Sequence, residues 1–126
     1  MAVDYMLDAS ALLALVRQEP GHDVLSRLLE NSAISAVSMS ETVTKLVQKG
    51  GTRAQVEELL RALKLNVVAW DEDLAYRSAG FAHLARERGL SLGDRACLTS
   101  AQAFNSTALT TERNWSDLNV PVQQIR

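Results

Sequence analysis

Four acidic residues lie at junctions between predicted strands and helices, where their carboxylates could act together. Asp8 follows the apolar residues 5–7 and precedes an apolar helical stretch. Glu41 falls in the first turn of the helix after the second predicted strand, and Asp94 begins the helix before the fourth strand. Glu112 comes just after that strand. Since ligands collect outside the carboxyl ends of parallel strands, the four acids are expected to share one crevice.

Such a cluster of carboxylates is typical of a magnesium or manganese site. Ionised carboxylates in one cleft repel each other, and a divalent cation compensates for that repulsion. Oxygen ligands favour Mg²⁺ or Mn²⁺ over zinc, and carboxylate-bound Mg²⁺ commonly acts on phosphates. The alternative for each acid is a purely local role, because acids at helix N-termini also interact favourably with the helix dipole.

The elements that must position these acids alternate along the chain. Five short stretches rich in apolar or β-branched residues are predicted as strands, at 3–7, 33–36, 66–70, 107–110 and 120–125. Between them, helices are predicted at 9–16, 22–29, from Ser38 or Ser40 to 49, after Thr52, at 71–88 and at 91–104. This alternation predicts a three-layer α/β/α domain with a mainly parallel sheet of about five strands.

Length and composition limit the possibilities further. The 126 residues, with a net charge of −2, favour one domain over 1–126 and argue against a protein that holds phosphates by bulk positive charge. Cys97 is the only cysteine, so an internal disulfide is impossible. The chain has no apolar run of membrane-spanning length and no recognisable signal peptide, so we expect a cytoplasmic protein that does not enter membranes.

Four stretches that contain the acids also match a known pattern. They are residues 7–14 (LDASALLA), 35–43 (SAVSMSETV), 90–98 (LSLGDRACL) and 109–115 (LTTERNW). In this order and spacing they resemble the motifs of the PIN domain, in the form found in VapC toxins. The third stretch is the most specific match, and the agreement extends along nearly the whole chain.

This resemblance implies a metal-dependent endoribonuclease that is the toxin of a type II toxin–antitoxin pair. It implies an RNA substrate, Mg²⁺ or Mn²⁺ as cofactor, and a VapB-like antitoxin whose C-terminal segment enters the active groove. Toxins of this kind usually form homodimers, which assemble into heterotetramers or larger complexes with the antitoxin. The apolar helices between residues 39 and 63 are the expected surface for the dimer or for the antitoxin.

Carried over position by position, Asp8, Glu41 and Asp94 match metal-binding acids, and Ser10 matches a small hydroxyl residue beside the metal. The fourth position departs from the family pattern, because the family commonly has aspartate where this chain has Glu112. Glutamate is one methylene longer and could still reach a metal, although Asp117 is a rival.

Two arginines next to these acids, Arg95 and Arg113, are candidates for contacts with RNA phosphates. The alternative for both is a surface arginine that pairs with the neighbouring acid.

Three other functions are alternatives to a ribonuclease. A receiver-type signalling domain has similar length and clustered acids, but it needs a lysine after one of the last strands, and this chain has none beyond Lys64. A PIN-like module that only binds a partner would not need intact acids, and Asp8, Glu41 and Asp94 are all present. The glutamate at position 112, in place of the family's usual aspartate, keeps the binding module open as an alternative. A phosphatase of the haloacid dehalogenase type would have a second aspartate at the position of Ser10.

Overall fold

One sheet of five strands forms the centre of the molecule, and every neighbouring pair of strands runs parallel. The computed structural model describes residues 3–126. Its strands are β1 (Tyr5–Leu7), β2 (Ser32–Ser35), β3 (Asn66–Val68), β4 (Thr107–Thr110) and β5 (Val122–Gln124). Their order across the sheet is β3-β2-β1-β4-β5, which places β1 in the middle. The predicted parallel sheet is therefore confirmed.

Seven α-helices within the described part of the chain connect the strands. They are α1 (Ala9–Arg17), α2 (His22–Leu28), α3 (Ala36–Gln48), α4 (Arg53–Ala62), α5 (Glu72–Arg77), α6 (Leu84–Glu87) and α7 (Leu92–Ala103). Short 3₁₀ segments occur at Leu29–Asn31 and Ser78–Phe81. No helix within residues 3–126 is long and apolar enough to cross a membrane.

The alternation of side chains along the strands separates two hydrophobic cores, one on each face of the sheet. Met6 pairs in register with Ala33 and Ala108, and these three residues contribute to the core under α5, α6 and α7. The next residues along each strand belong to the opposite core, under α1, α2 and α4; they are Leu7, Ile34 and Leu109. Both faces of the sheet are thus covered, which confirms the three-layer α/β/α architecture.

Two predicted helix boundaries were wrong. The helix predicted over 71–88 is broken into α5, a 3₁₀ segment and α6. Gly80 lies in the 3₁₀ segment and is a poor helix former. Phe81 in the 3₁₀ segment and Leu84 in α6 both belong to the core.

Helix α3 begins earlier than predicted, because Ser35 rather than Ser38 or Ser40 is its N-cap. The Ser35 hydroxyl accepts the Val37 N–H at 3.2 Å. Glu41 consequently lies in the second turn of α3, not the first. Three serines at 35, 38 and 40 all have N-cap chemistry, and only the end of β2 selects between them.

Candidate active site

Asp8 occupies the carboxyl end of the central strand and is the N-cap of α1. Its Oδ1 accepts the N–H of Ala11 at 2.7 Å, and only 1% of its surface is exposed. The neighbouring strands β2 and β4 lie on either side of β1. Because their following connections leave from the same edge, Asp8 lies at the crevice where parallel α/β sheets bind ligands.

Two hydroxyl groups hold the carboxylate of Asp8, one on each oxygen. Ser10 Oγ donates to Oδ1 at 2.7 Å, and Thr110 Oγ1 donates to Oδ2 at 2.6 Å. Backbone N–H groups fix both hydroxyls in turn, since Thr111 N donates to Ser10 Oγ and Glu112 N donates to Thr110 Oγ1. The orientation of this buried carboxylate is therefore set by β4 as well as by its own helix.

Burial raises the pKa of Asp8 to about 6. The hydrogen bonds from Thr110, Ser10 and Ala11 act in the opposite direction, and the nearby charge of Asp94 raises the pKa further. A carboxylate that is desolvated and close to a second acid gains from a cation, because a positive charge offsets both penalties.

Asp94 lies in the first turn of α7 and forms a capping box with Ser91. The Asp94 N–H donates to Ser91 Oγ at 3.1 Å, and the Ser91 N–H donates to Asp94 Oδ2 at 2.9 Å. One carboxylate oxygen thus stabilises the start of the helix.

Glu41 extends from α3 towards the same helix start. Burial raises its pKa, and the charge of Asp94 adds to that effect, whereas a hydrogen bond from Ser91 and the charge of Lys45 lower it. The charge of Asp94 therefore acts on both of the other acids, Asp8 and Glu41.

Cys97 lies beneath this cluster, one turn along α7 from Asp94. Burial raises the pKa of its thiol well above the usual value, with further contributions from Asp8 and Asp94. Its Sγ donates to the carbonyl of Met6 at 3.6 Å. A thiol held neutral in this way packs as a small hydrophobic group and is unsuited to act as a nucleophile.

The other two candidate acids are not among the groups that shift the pKa of Asp8 or Glu41. Glu112 is exposed and is anchored through its backbone, whose N–H bonds to Thr110 and whose carbonyl accepts from Gln124. Asp117, the rival for the fourth position, lines a polar pocket together with Gln102, near the end of α7 opposite to Asp94.

The three interacting acids suit a hard divalent cation by their chemistry, although they are not gathered around one point. Within the described residues 3–126, no three His, Cys, Asp or Glu side chains are close enough together to hold a metal ion. Their oxygen atoms are nevertheless the ligands that Mg²⁺ and Mn²⁺ prefer, and the mutual repulsion of the acids favours a cation.

The structure gives the two candidate arginines different surroundings. Arg95 is half-buried beside Asp94, and its Nε has no hydrogen-bond partner among the described residues. Arg113 is exposed and donates to the backbone carbonyl of Arg126 at 3.2 Å.

Sequence reasoning missed Thr110 as a residue of the site. Leu7 pairs with Leu109, so the next positions along these strands, Asp8 and Thr110, are also neighbours. A hydroxyl residue at the end of a predicted strand was the available signal, but its meaning depended on knowing that β4 lies beside β1.

Comparisons with known proteins agree with this geometry. A family model described as PIN domain matches residues 5–120. No curated protein matches the chain.

Several solved structures share the fold. A toxin–antitoxin complex from Klebsiella pneumoniae has a TM-score of 0.75 at 21% identity, over 98% of both chains. VapC20 from Mycobacterium tuberculosis, described as a toxin that cleaves the sarcin–ricin loop, has a TM-score of 0.73 at 19% identity, over 93% of this chain and 96% of that one. PAE2754 from Pyrobaculum aerophilum is 27% identical, with a TM-score of 0.59 over 90% of this chain and 84% of its own.

Proposed function

Because the chain belongs to the PIN domain family, we propose that it is a metal-dependent endoribonuclease and the toxin of a type II toxin–antitoxin pair. The observation that supports this most directly is that the charge of Asp94 acts both on Asp8, at the carboxyl end of the central strand, and on Glu41. RNA is its proposed substrate, and the cytoplasm is its proposed compartment. The solved toxin that cleaves the sarcin–ricin loop has the same fold, which favours RNA over other phosphodiesters.

In this proposal Asp8, Asp94 and Glu41 would hold Mg²⁺ or Mn²⁺, and Glu112 would complete the site. A divalent ion would supply an activated water and neutralise charge on the scissile phosphate. Ser10 and Thr110 keep the two oxygens of Asp8 oriented. The half-buried guanidinium of Arg95 binds a phosphate of the RNA beside the acids, while Arg113 makes an outer contact from the surface.

The decisive experiment compares Asp94→Asn with Asp117→Asn in an RNA cleavage assay. The toxin is first freed of antitoxin, and Mg²⁺ or Mn²⁺ is supplied with an EDTA control. We expect Asp94→Asn to lower cleavage by at least about 100-fold, because it removes the acid whose charge acts on both of the others. Asp117→Asn should cleave like the wild type. Full metal-dependent activity in Asp94→Asn would refute the assignment, and a wild type without activity would favour a module that only binds a partner.

An apolar groove is the proposed antitoxin surface. It has a volume of about 510 Å³, and its apolar lining comes from α3, α4 and the edge strand β3. The apolar residues are Met39, Val43, Val56, Leu60, Leu65 and Val67. Met39 and Val43 are each two positions from Glu41, which is about 200° around the axis of α3, so a partner in this groove contacts a different face of α3 from the one that carries Glu41.

The charges around the groove favour an acidic partner over a second copy of the chain. Arg53, Arg61 and Lys64 surround it, and Glu57 is the one acid in its lining. Glu57 already pairs with both arginines. Two copies that met here would bring their positive rims together, whereas an amphipathic segment with acidic flanks is complementary. We therefore place the antitoxin in this groove, and a homodimer, or a heterotetramer with antitoxin, would use another surface.

A further inference from the structure

The carboxylate of Glu41 occupies the space where a side chain on Gly93 would be. Gly93 is buried at the second position of α7. A Cβ built on it would lie 1.7 Å from Glu41 Oε1 and 2.2 Å from Glu41 Cδ. Both distances are far below van der Waals contact, so Glu41 could not keep this position beside any other residue.

The backbone conformation at position 93 does not require a glycine. The glycines with positive φ among residues 3–126 are Gly21, Gly50 and Gly89, so Gly93 has a backbone that alanine can adopt. Glycine is also a poorer helix former than alanine. The benefit of Gly93 must therefore come from the space that it leaves free.

That space lies at a favourable place for a carboxylate. The start of a helix carries partial positive charge, and α7 is long enough, at 12 residues, to have a well-formed dipole. Ser91, which caps α7, also favours the ionised form of Glu41 and so lowers its pKa. Ser38 in α3 donates to the carbonyl of Gly93 at 3.2 Å, which fixes the two helices close together.

We propose that Gly93 is a positioning residue, whose missing side chain lets the start of α7 hold the Glu41 carboxylate next to Asp94. This inference rests on the proposed function, because it concerns the acids that would bind the metal ion. Glu41 comes from α3 and Asp94 from α7, so the contact at Gly93 is what brings a carboxylate of one helix to the acid of the other. Any larger residue at position 93 displaces Glu41 from that place.

The test is Mn²⁺ binding to Gly93→Ala, measured by titration calorimetry on the antitoxin-free protein. We expect binding to be at least about 10-fold weaker than in the wild type, as for other residues that orient metal ligands. The melting temperature of the metal-free variant should be unchanged or higher, because the displaced group is a flexible side chain and alanine favours the helix. Gly80→Ala is the matched control, since no atom lies within 4 Å of a Cβ at that position.

A double-mutant cycle shows whether the effect passes through Glu41. In a Glu41→Ala background, Gly93→Ala should cause no further loss of Mn²⁺ affinity, and an equal additional loss would overturn the inference. If the wild type binds Mn²⁺ and the Gly93→Ala variant binds it equally well or better, the inference about Gly93 is overturned but the proposed function is not. A lowered melting temperature of metal-free Gly93→Ala would also overturn the inference alone. A wild type that does not bind Mn²⁺ would overturn the proposed function and this inference together.

Discussion

Replacing Asp8 by asparagine should change the pH dependence of stability in a way that the structure determines. Asparagine has nearly the same shape and cannot ionise. Its amide oxygen can still accept from Ser10 and Ala11, and the hydroxyl of Thr110 can rotate to accept from its amide N–H. The raised pKa of Asp8, about 6 against 3.8 for the unperturbed group, means that the folded protein holds this proton more tightly than the unfolded chain. The stability that this provides is complete below pH 3.8 and is lost as the pH rises through about 6.

The size of the effect follows from the two pKa values. A shift of this size corresponds to about 3 kcal/mol, at about 1.4 kcal/mol per pKa unit. Asp8 is almost fully buried, so solvent screening does not reduce this value substantially. Relative to the wild type, Asp8→Asn should therefore gain about 2–3 kcal/mol of stability between about pH 4 and pH 8.

The assay is urea unfolding of both metal-free proteins across this pH range, with EDTA present. The other carboxyl groups titrate in both proteins, so the difference between the two curves reports mainly on Asp8. A difference in the free energy of unfolding that stays constant with pH would refute the reasoning, because it would mean that Asp8 is not desolvated in the folded state. Adding Mn²⁺ should stabilise the wild type at pH 8 and leave Asp8→Asn nearly unchanged.

Two further predictions concern the C-terminus and the groove. Gly21→Ala should destabilise the fold by about 2–4 kcal/mol in urea unfolding, because φ is +100° and a Cβ would lie 2.6 Å from the Ile125 carbonyl. Gly50→Ala, with φ of +109° and open space around it, should lose only about 1–2 kcal/mol, and equal losses would contradict this account. Val67→Arg, in the groove, should weaken capture of the cognate antitoxin at least about 10-fold. Leu59 is similarly exposed on α4 but lies outside the groove, so Leu59→Arg should leave antitoxin capture unchanged. Equal weakening by both substitutions would argue against the groove as the antitoxin surface.

The sequence by itself determined the alternation of strands and helices and the identity of the acids at their junctions. These features depend on local chemistry. Apolar runs, glycines that end helices and N-cap side chains act on the backbone within a few residues of their own position. The capping boxes that begin α4 and α7 are examples. Where local chemistry was ambiguous, as for the serines before α3 or the helix predicted through Gly80, the sequence placed the boundaries wrongly.

Only the tertiary structure decided which groups surround each acid. The hydroxyl of Thr110 reaches Asp8 from 102 positions away, because β4 pairs with β1. Glu41 lies against Gly93 because α3 packs on α7, although neither residue carries a local sign of the other. The pKa of a carboxyl group and the space around it are set by neighbours brought together in folding, so they depend on the packing of distant elements and not on the residues beside them in the chain.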